Sequence, residues 1–160
     1  MQILRRAAPL ALALAATLLL PSCGEDNPSG LPNVPRADIR IGITPNPVEG
    51  VQSPITGSVS AAYTVTIAEF NGLGGTVNFI NSVVFDPATG AQVALNYFDS
   101  SDLIVFVGGD RIEPGGVIEV PTTMNYILSD LGTEADLTVS VQVRDDRGSL
   151  INRSVLIKIL

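Results

Sequence analysis

After residue 37, hydrophobic and polar residues alternate along most of the chain. In LTVSVQVR, residues 137–144, every second residue is Leu or Val and the residues between them are polar or charged. This period of two is typical of a β-strand with one buried face. The stretches DIRIGIT, AYTVTIAEF and SVLIKIL show the same alternation, while TVNFINSVVF, AQVALNYF, LIVFV and VIEVPTTMNYIL are rich in β-branched and aromatic residues. The pattern predicts about eight strands, and the best helical candidate is a single turn around residues 129–134.

Glycine- and proline-rich turns separate these stretches. The sequences FNGLGG, DPATG, GGDRIEPGG and DDRGS each place Gly or Pro where a turn needs it, and DDRG between two alternating stretches predicts a tight hairpin. Short strands at this spacing favour a β-sandwich. In strand number, spacing and the closing DDRG hairpin, the chain resembles the bacterial immunoglobulin-like or fibronectin-like modules. The resemblance implies an all-β fold, an immunoglobulin-like antiparallel β-sandwich of seven or eight strands over residues 37–160.

The first 22 residues, MQILRRAAPLALALAATLLLPS, have the layout of a secretory signal peptide. Arg5 and Arg6 form a basic start, an uncharged apolar stretch follows over residues 7–20, and Pro21 and Ser22 come next. The apolar stretch is shorter than the roughly 20 residues that a transmembrane helix needs. The sequence therefore predicts a cleaved signal peptide over residues 1–22.

The single cysteine of the chain follows directly. The segment Leu20-Pro21-Ser22-Cys23 resembles the lipobox of bacterial lipoproteins, which implies lipidation of the Cys23 sulfur and cleavage before this residue. Two or three acyl chains would make such an anchor effectively permanent, because each buried CH₂ contributes about 0.8 kcal/mol. Gly24, where an Asp would favour inner-membrane retention, favours the outer membrane. The alternatives are an ordinary signal peptide with an incidental cysteine and a short uncleaved anchor.

Residues 23–36 form a predicted lipid-anchored tether rich in proline and glycine. A segment of this composition is disordered and extended, and residues 24–36 would reach roughly 40 Å at about 3.1 Å per residue. After Cys23 the chain has seven basic and sixteen acidic side chains, a net charge of −9. Such a charge repels nucleic acid and anionic headgroups, so we expect no nucleic-acid partner and a membrane contact that depends on the lipid anchor.

The residue content argues against an enzyme. The chain has no histidine, and its one cysteine is the predicted lipid site, which removes the usual general base and the common nucleophile pairs. A pair of carboxylates could still act as acid and base in a small hydrolase. We expect no catalytic residue and no cofactor apart from the covalent lipid.

Acidic loops supply the candidates for a metal site. Asp99 and Asp102, in YFDSSD, and Asp130 and Asp136, in a second acidic stretch, offer the oxygen ligands that Ca²⁺ prefers. The alternative is that these carboxylates cap turns and keep the surface soluble. A calcium-binding adhesive module is therefore an alternative function.

Aromatic residues supply the candidates for other binding sites. Glycan-binding sandwiches expose aromatic rings, but the strand phase predicts that Tyr63, Phe79, Phe85 and Tyr97 are buried, leaving Phe70 and Phe98 as exposed candidates. The glycine-rich loop EFNGLGG carries Phe70 and Leu73, which could form an apolar docking tip for a protein. The alternative is that the loop folds back over the sandwich edge.

These observations predict a non-catalytic lipoprotein of the bacterial cell envelope that presents one immunoglobulin-like domain for protein–protein interaction or a structural role. An envelope protein is the expected partner. The alternatives are the calcium- or glycan-binding adhesive module and the small carboxylate hydrolase.

Overall fold

The computed structural model describes residues 35–130 and 134–160 of the chain. Residues 35–160 form one compact unit. The predicted signal peptide, Cys23 and residues 24–34 of the predicted tether lie outside the described residues. Among the described residues, no helix is long and apolar enough to span a membrane.

Nine strands and one helix lie in the described residues. They are β1 Ile39–Thr44, β2 Gly50–Gln52, β3 Val59–Glu69, β4 Gly75–Phe85, β5 Gln92–Asp99, α1 Ser100–Val107, β6 Arg111–Ile112, β7 Val117–Tyr126, β8 Ala135–Asp145 and β9 Leu150–Ile159. β2 and β6 have only two or three residues, so seven longer strands remain. The fold is the predicted all-β, immunoglobulin-like antiparallel sandwich.

The strands form two sheets. In sheet A, β3 pairs with β7 along one edge and with β1 and β2 along the other. In sheet B the order is β5-β4-β8-β9, and β6 pairs with the start of β4. All of these pairings are antiparallel. A parallel bridge between Val48 and Ile159 joins the segment before β2 to the last strand of sheet B.

The alternating apolar residues meet between the sheets. Leu137, Val139, Val141 and Val143 of β8 are buried, as their phase predicts, and they pack with Val65 and other inward residues of sheet A. Burial of each such side chain contributes about 1.5–3 kcal/mol, so the core alone can hold a domain that has no disulfide. The predicted hairpin is confirmed: Gly148, with φ of 84°, lies in the turn between β8 and β9.

The prediction of a strand at LIVFV is wrong. These residues belong to helix α1, because the residues on both sides provide helix caps. The Asp99 carboxylate accepts a hydrogen bond from the Asp102 backbone N–H, the Asp102 carboxylate accepts one from the Asp99 N–H, and Gly108 ends the helix in the left-handed region. The single turn predicted around residues 129–134 includes residues 131–133, which lie outside the described residues.

Candidate functional site

The outer face of sheet B has a central region without charged side chains. The strand pairings place three rows of outward-facing residues across β5, β4, β8 and β9. We call this region the neutral face, and its members include Phe79, Asn81, Val83, Leu95, Tyr97, Thr138, Ser140, Gln142, Asn152, Ser154 and Leu156. Charges lie at its borders. Asp99, the cap of helix α1, is opposite Phe79 at the β5 edge. Arg144 lies in the flanking row at one end, and the Asp136–Lys158 ion pair, 2.6 Å between Oδ1 and Nζ, lies at the other.

Aromatic and aliphatic side chains occupy the β5 side of the neutral face. The ring of Tyr97 is stacked on Phe79 with centroids 5.7 Å apart, and Tyr97 is 56 % exposed. Leu95 on β5 and Leu156 on β9 are also exposed. An apolar patch of this kind on a β-sandwich is typical of a surface that contacts another molecule.

Sequence analysis predicted that Tyr63, Phe79, Phe85 and Tyr97 are buried, and this prediction is only partly correct. Tyr63 is buried, but Tyr97 is exposed, and Phe79 and Phe85 are half-buried. Conversely, Phe98 packs against the core instead of being exposed. The reason is the pairing of β5 with β4, which sets Phe98 beside the buried Ile80 and Tyr97 beside the outward Asn81.

A row of side-chain amides crosses the neutral face. The Asn78 Nδ2 donates to Gln142 Oε1 at 2.9 Å, and the Gln142 Nε2 donates to Asn152 Oδ1 at 2.9 Å. Asn81 Oδ1, in the next row, is buried and has no hydrogen-bond partner among the described residues. A buried acceptor without a partner costs free energy. The neutral face therefore has a polar atom that a bound molecule could satisfy with a donor.

The calcium candidates do not assemble into a metal site. The described residues include no group of three or more His, Cys, Asp or Glu side chains that could hold a metal ion. Asp99 and Asp102 cap helix α1, and Asp136 pairs with Lys158. Asp130 lies in the segment after β7, directly before the undescribed residues 131–133. The prediction of calcium binding stays a prediction, without an assembled set of ligands.

The loop that contains Phe70 and Leu73 is held by a buried carboxylate, Glu69. Glu69 Oε1 accepts hydrogen bonds from the backbone N–H groups of Asp38 and Asn71. Its Oε2 accepts from the N–H groups of Gly72, Leu73 and Gly115, so that one side chain ties the loop to β1 and to the β6–β7 turn. Sequence reasoning missed this role because Glu69 looks like an ordinary end of a strand.

Sequence analysis left two outcomes for this loop, an exposed apolar tip or a loop folded back over the sandwich, and each of its two apolar residues follows a different one. Phe70 is exposed, and the Arg40 guanidinium lies 4.4 Å from its ring centroid. Leu73 instead packs against the core. Because a cation over an aromatic face is attracted by the ring, Phe70 keeps one defined position while its other side stays open to solvent.

Two buried carboxylates are held in the ionised form. Burial raises the pKa of Glu69, but the hydrogen bonds donated by Gly115, Asn71, Asp38 and Leu73 outweigh burial and leave this pKa below its usual value. At the opposite end of the sandwich, hydrogen bonds from the hydroxyl and backbone N–H of Ser129 lower the pKa of Asp86 to about 2, against the opposing effect of burial.

These pKa shifts predict how stability depends on pH. A carboxylate whose folded pKa is lowered stabilises the fold fully above its unfolded pKa, and the contribution is lost as the pH falls through the folded pKa. We expect the melting temperature to be level near neutral pH and to fall between about pH 4 and pH 2. Thermal unfolding followed by circular dichroism measures this. The Asp86→Asn variant should show a shallower fall, and an equal fall would mean that Asp86 does not contribute.

Comparison with known proteins gives similarity in fold only. No model of a known protein family matches the sequence, and no curated protein matches it. Structural-genomics target SoR45 has a TM-score of 0.57 and 13 % identity, over 76 % of this chain and 84 % of that one. A Bordetella pertussis protein provisionally named ApaA has a TM-score of 0.56 and 14 % identity, over 77 % and 94 %.

A further match is the CARDB domain of a Pyrococcus furiosus protein, solved in complex with di-metal ions. Its TM-score is 0.40 with 16 % identity, over 77 % of this chain and 86 % of that one. The first two matches, with TM-scores above 0.5 and identities of 13 % and 14 %, show similarity of fold alone.

Proposed function

We propose that this protein is a non-catalytic, lipid-anchored module of the bacterial cell envelope that binds an envelope protein through the neutral face of sheet B. The lipobox-like segment ending at Cys23 supports the anchor. The observation that carries the binding role is the neutral face itself, an uncharged surface with exposed Tyr97, Leu95 and Leu156 on a chain of strongly negative charge.

The composition of the neutral face fits a protein partner. The cores of protein–protein interfaces are depleted in charged residues and enriched in aromatic ones, and Tyr is among the residues that contribute most to binding. Tyr97 lies near the middle of β5, and its stacking on Phe79 holds the ring in place before a partner binds. A partner that donates a hydrogen bond to Asn81 Oδ1 would also satisfy the unpartnered acceptor.

Crosslinking in the native cells, followed by affinity purification and mass spectrometry, tests this function. We expect one defined protein to be captured by the intact chain. The Tyr97→Arg variant should lose it, because an unpaired charge buried in an interface costs several kcal/mol. The matched control is Ala62→Arg, which adds the same charge to an exposed position on the outer face of sheet A.

The outcomes separate the two parts of the proposal. Capture that is equal in the wild type and in Tyr97→Arg would show that the neutral face is not the binding surface. The Cys23→Ala variant tests the anchor, since it should leave the membrane fraction and lose a partner that requires membrane location. A wild-type chain recovered with an unmodified Cys23 would show that the anchor is wrong.

Glycan binding is the second candidate function, because the neutral face combines an exposed aromatic ring with a row of side-chain amides. The exposed ring of Tyr97 lies beside the amide row of Asn78, Gln142 and Asn152, and sugars are bound by stacking on rings and by hydrogen bonds to amides. If no protein is captured by any variant, titration of the chain with envelope oligosaccharides becomes the deciding measurement. Shifts of the side-chain amide resonances of this row in NMR spectra would then support the glycan.

A further inference from the structure

Helix α1 exposes large apolar side chains, although one of them, Phe106, also contacts the Phe98 ring edge-to-face with centroids 5.7 Å apart. Leu103 is its only fully buried residue, whereas Ile104, Val105 and Phe106 are 53 %, 80 % and 67 % exposed. Leaving three consecutive large apolar residues in water is unfavourable, by about 25 cal/mol for each Å² of apolar surface. Such a patch marks a contact with a membrane or with a partner molecule.

This helix lies at the end of the sandwich where the chain enters from residue 34. β1 begins at this end, opposite the last residue of β3, and the Phe70 N–H donates to the Asp38 carbonyl. α1 leads into β6, which pairs with the first residues of β4 at the same end. The turn between β6 and β7 is joined to this end by the hydrogen bond from Gly115 to Glu69.

Further exposed apolar residues continue the patch. A shallow depression of about 300 Å³ separates the helix from the start of β7. Val107, Gly108 and Val117 line it together with the charged side chains of Arg111 and Glu119. Val117 is exposed and pairs with Ala68, two residues before the exposed Phe70. We call this set the apolar rim, and it consists of Phe70, Ile104, Val105, Phe106 and Val117.

We propose that the apolar rim rests on the lipid bilayer, with these side chains in the boundary between headgroups and acyl chains. The inference rests on the lipid anchor of the proposed function. Cys23 precedes Pro35, the first described residue, by twelve positions, and the described chain begins at the rim end, where the Asn71 side chain donates to the Arg36 carbonyl. Apolar side chains of an interfacial helix enter this boundary by about 5–10 Å.

The short tether makes even a weak contact effective. A short flexible linker keeps two tethered partners at an effective concentration of about millimolar, so the rim need not bind free vesicles tightly. Twelve positions separate Cys23 from Pro35, and a fully extended chain of that length spans at most about 40 Å, so the rim stays within reach of an anchoring membrane. The membrane is therefore the surface that the rim meets most often.

The charges at this end are compatible with a bilayer surface. All the arginines that follow Cys23 lie on segments that reach it, namely Arg36, Arg40, Arg111, Arg144, Arg147 and Arg153, whereas Lys158 lies at the opposite end. Of the carboxylates here, Glu69 accepts from backbone N–H groups, Asp38 pairs with Arg40, and Asp146 and Glu113 pair with Arg111, while Glu119 lines the depression beside Val117. The guanidinium groups of Arg36, Arg144 and Arg147 lie outside these ion pairs, and arginine donates to phosphate with two N–H groups.

This orientation would also leave the neutral face available. The strands run from the rim end to the opposite end, so a sandwich that stands on its rim has both sheets upright and their outer faces open to the side. The membrane contact and the binding face thus use different surfaces of the same domain.

The test uses the full chain, processed in bacteria and reconstituted in vesicles of phosphatidylethanolamine and phosphatidylglycerol. Because the one native cysteine is blocked by lipid, a thiol introduced by Val105→Cys accepts an NBD fluorophore at one site. We expect its emission to rise, and lipid-attached nitroxides to quench it. Ala88→Cys, exposed in the turn between β4 and β5 at the opposite end, is the matched control and should show neither effect.

A second substitution tests the apolar character of the contact. Phe106→Asp, placed in the chain labelled at position 105, should reduce the quenching by the lipid nitroxides, because a carboxylate opposes entry into the acyl boundary. Mass spectrometry of Cys23 is recorded on every sample. Unmodified Cys23 would overturn the anchor and this inference with it. Acylated protein whose position-105 label stays in water would overturn the membrane contact while leaving the anchor intact.

Discussion

The Glu69→Gln variant is expected to lose about 2–4 kcal/mol of its free energy of unfolding, because each buried donor left without an acceptor costs about 1–3 kcal/mol. Glutamine replaces one carboxylate oxygen with an NH₂ group. Either Oε1, which accepts from two backbone N–H groups, or Oε2, which accepts from three, would then present donors to donors. The variant loses acceptor capacity while the shape of the side chain stays the same.

Urea unfolding followed by circular dichroism measures this loss. The matched control is Glu113→Gln. Glu113 is exposed at the same end of the sandwich, and its Oε1 lies 3.0 Å from Arg111 Nε. Its loss should be at most about 1 kcal/mol, because exposed ion pairs contribute little. Equal losses in the two variants would mean that the hydrogen bonds to Glu69 do not stabilise the fold.

The Glu69 variant also bears on the apolar rim. Glu69 holds the Phe70 loop, the start of β1 and the β6–β7 turn in fixed relation, and Phe70 and Val117 both flank it. Amide hydrogen exchange of residues 70–73 should therefore increase in Glu69→Gln more than exchange in the β8–β9 hairpin. Glu69 thus positions the part of the rim that Phe70 and Val117 form.

The strands could be predicted because each needs only one buried face. In β8, Leu137 to Val143 alternate without interruption, and the structure buries all four apolar residues. The same reasoning predicted β3 and β9, and the DDRG turn predicted the hairpin that joins β8 to β9. Strand order was not predictable, since alternation determines which side chains are buried but not which strands are neighbours.

Helix α1 was not predicted, because the composition of its apolar run favoured a strand and the helix-capping residues on both sides were not considered. LIVFV is rich in β-branched and aromatic residues, which favours a strand. Yet Asp99 and Asp102 have capping-box spacing before the run, and Gly108 follows it. Those three residues, and not the apolar ones, determine the local structure. The sequence therefore contained a signal for the helix, and with it a signal for the apolar rim.

The neutral face was missed for a different reason. In NYF, residues 96–98, two aromatic residues stand next to each other, and alternation alone does not show which of them points inward. The choice is made by the register between β5 and β4, which is regular from Phe79 to Val84 and in which Ile80 points into the core. Pairing with that strand places Phe98 inside and Tyr97 outside. Because pairing with β4 decides which residues of β5 point toward the core, the exposure of Tyr97 could not be predicted from the β5 sequence alone.

Helix α1 should depend on a single side chain for its attachment. Leu103 is fully buried against the core, whereas its neighbours in the helix face solvent. We expect Leu103→Ala to lower the free energy of unfolding by about 2–5 kcal/mol, because truncation of a buried leucine removes its contacts and leaves a cavity. Loss of this anchor should also free the helix from β4, β5 and β7 before the sandwich unfolds.

Two measurements distinguish local opening of helix α1 from a loss of stability of the whole domain. Denaturant unfolding gives the global value, and hydrogen exchange of residues 103–107 reports whether the helix opens first. The control is Val105→Ala in the same helix, which removes an apolar group from an exposed position and should change stability by at most about 0.5 kcal/mol. In reconstituted vesicles we expect the opposite ranking for membrane contact. Val105→Ala reduces the contact directly, whereas Leu103→Ala reduces it only if the helix detaches. A helix that keeps its protection in Leu103→Ala would show that its caps, and not Leu103, hold it to the sandwich.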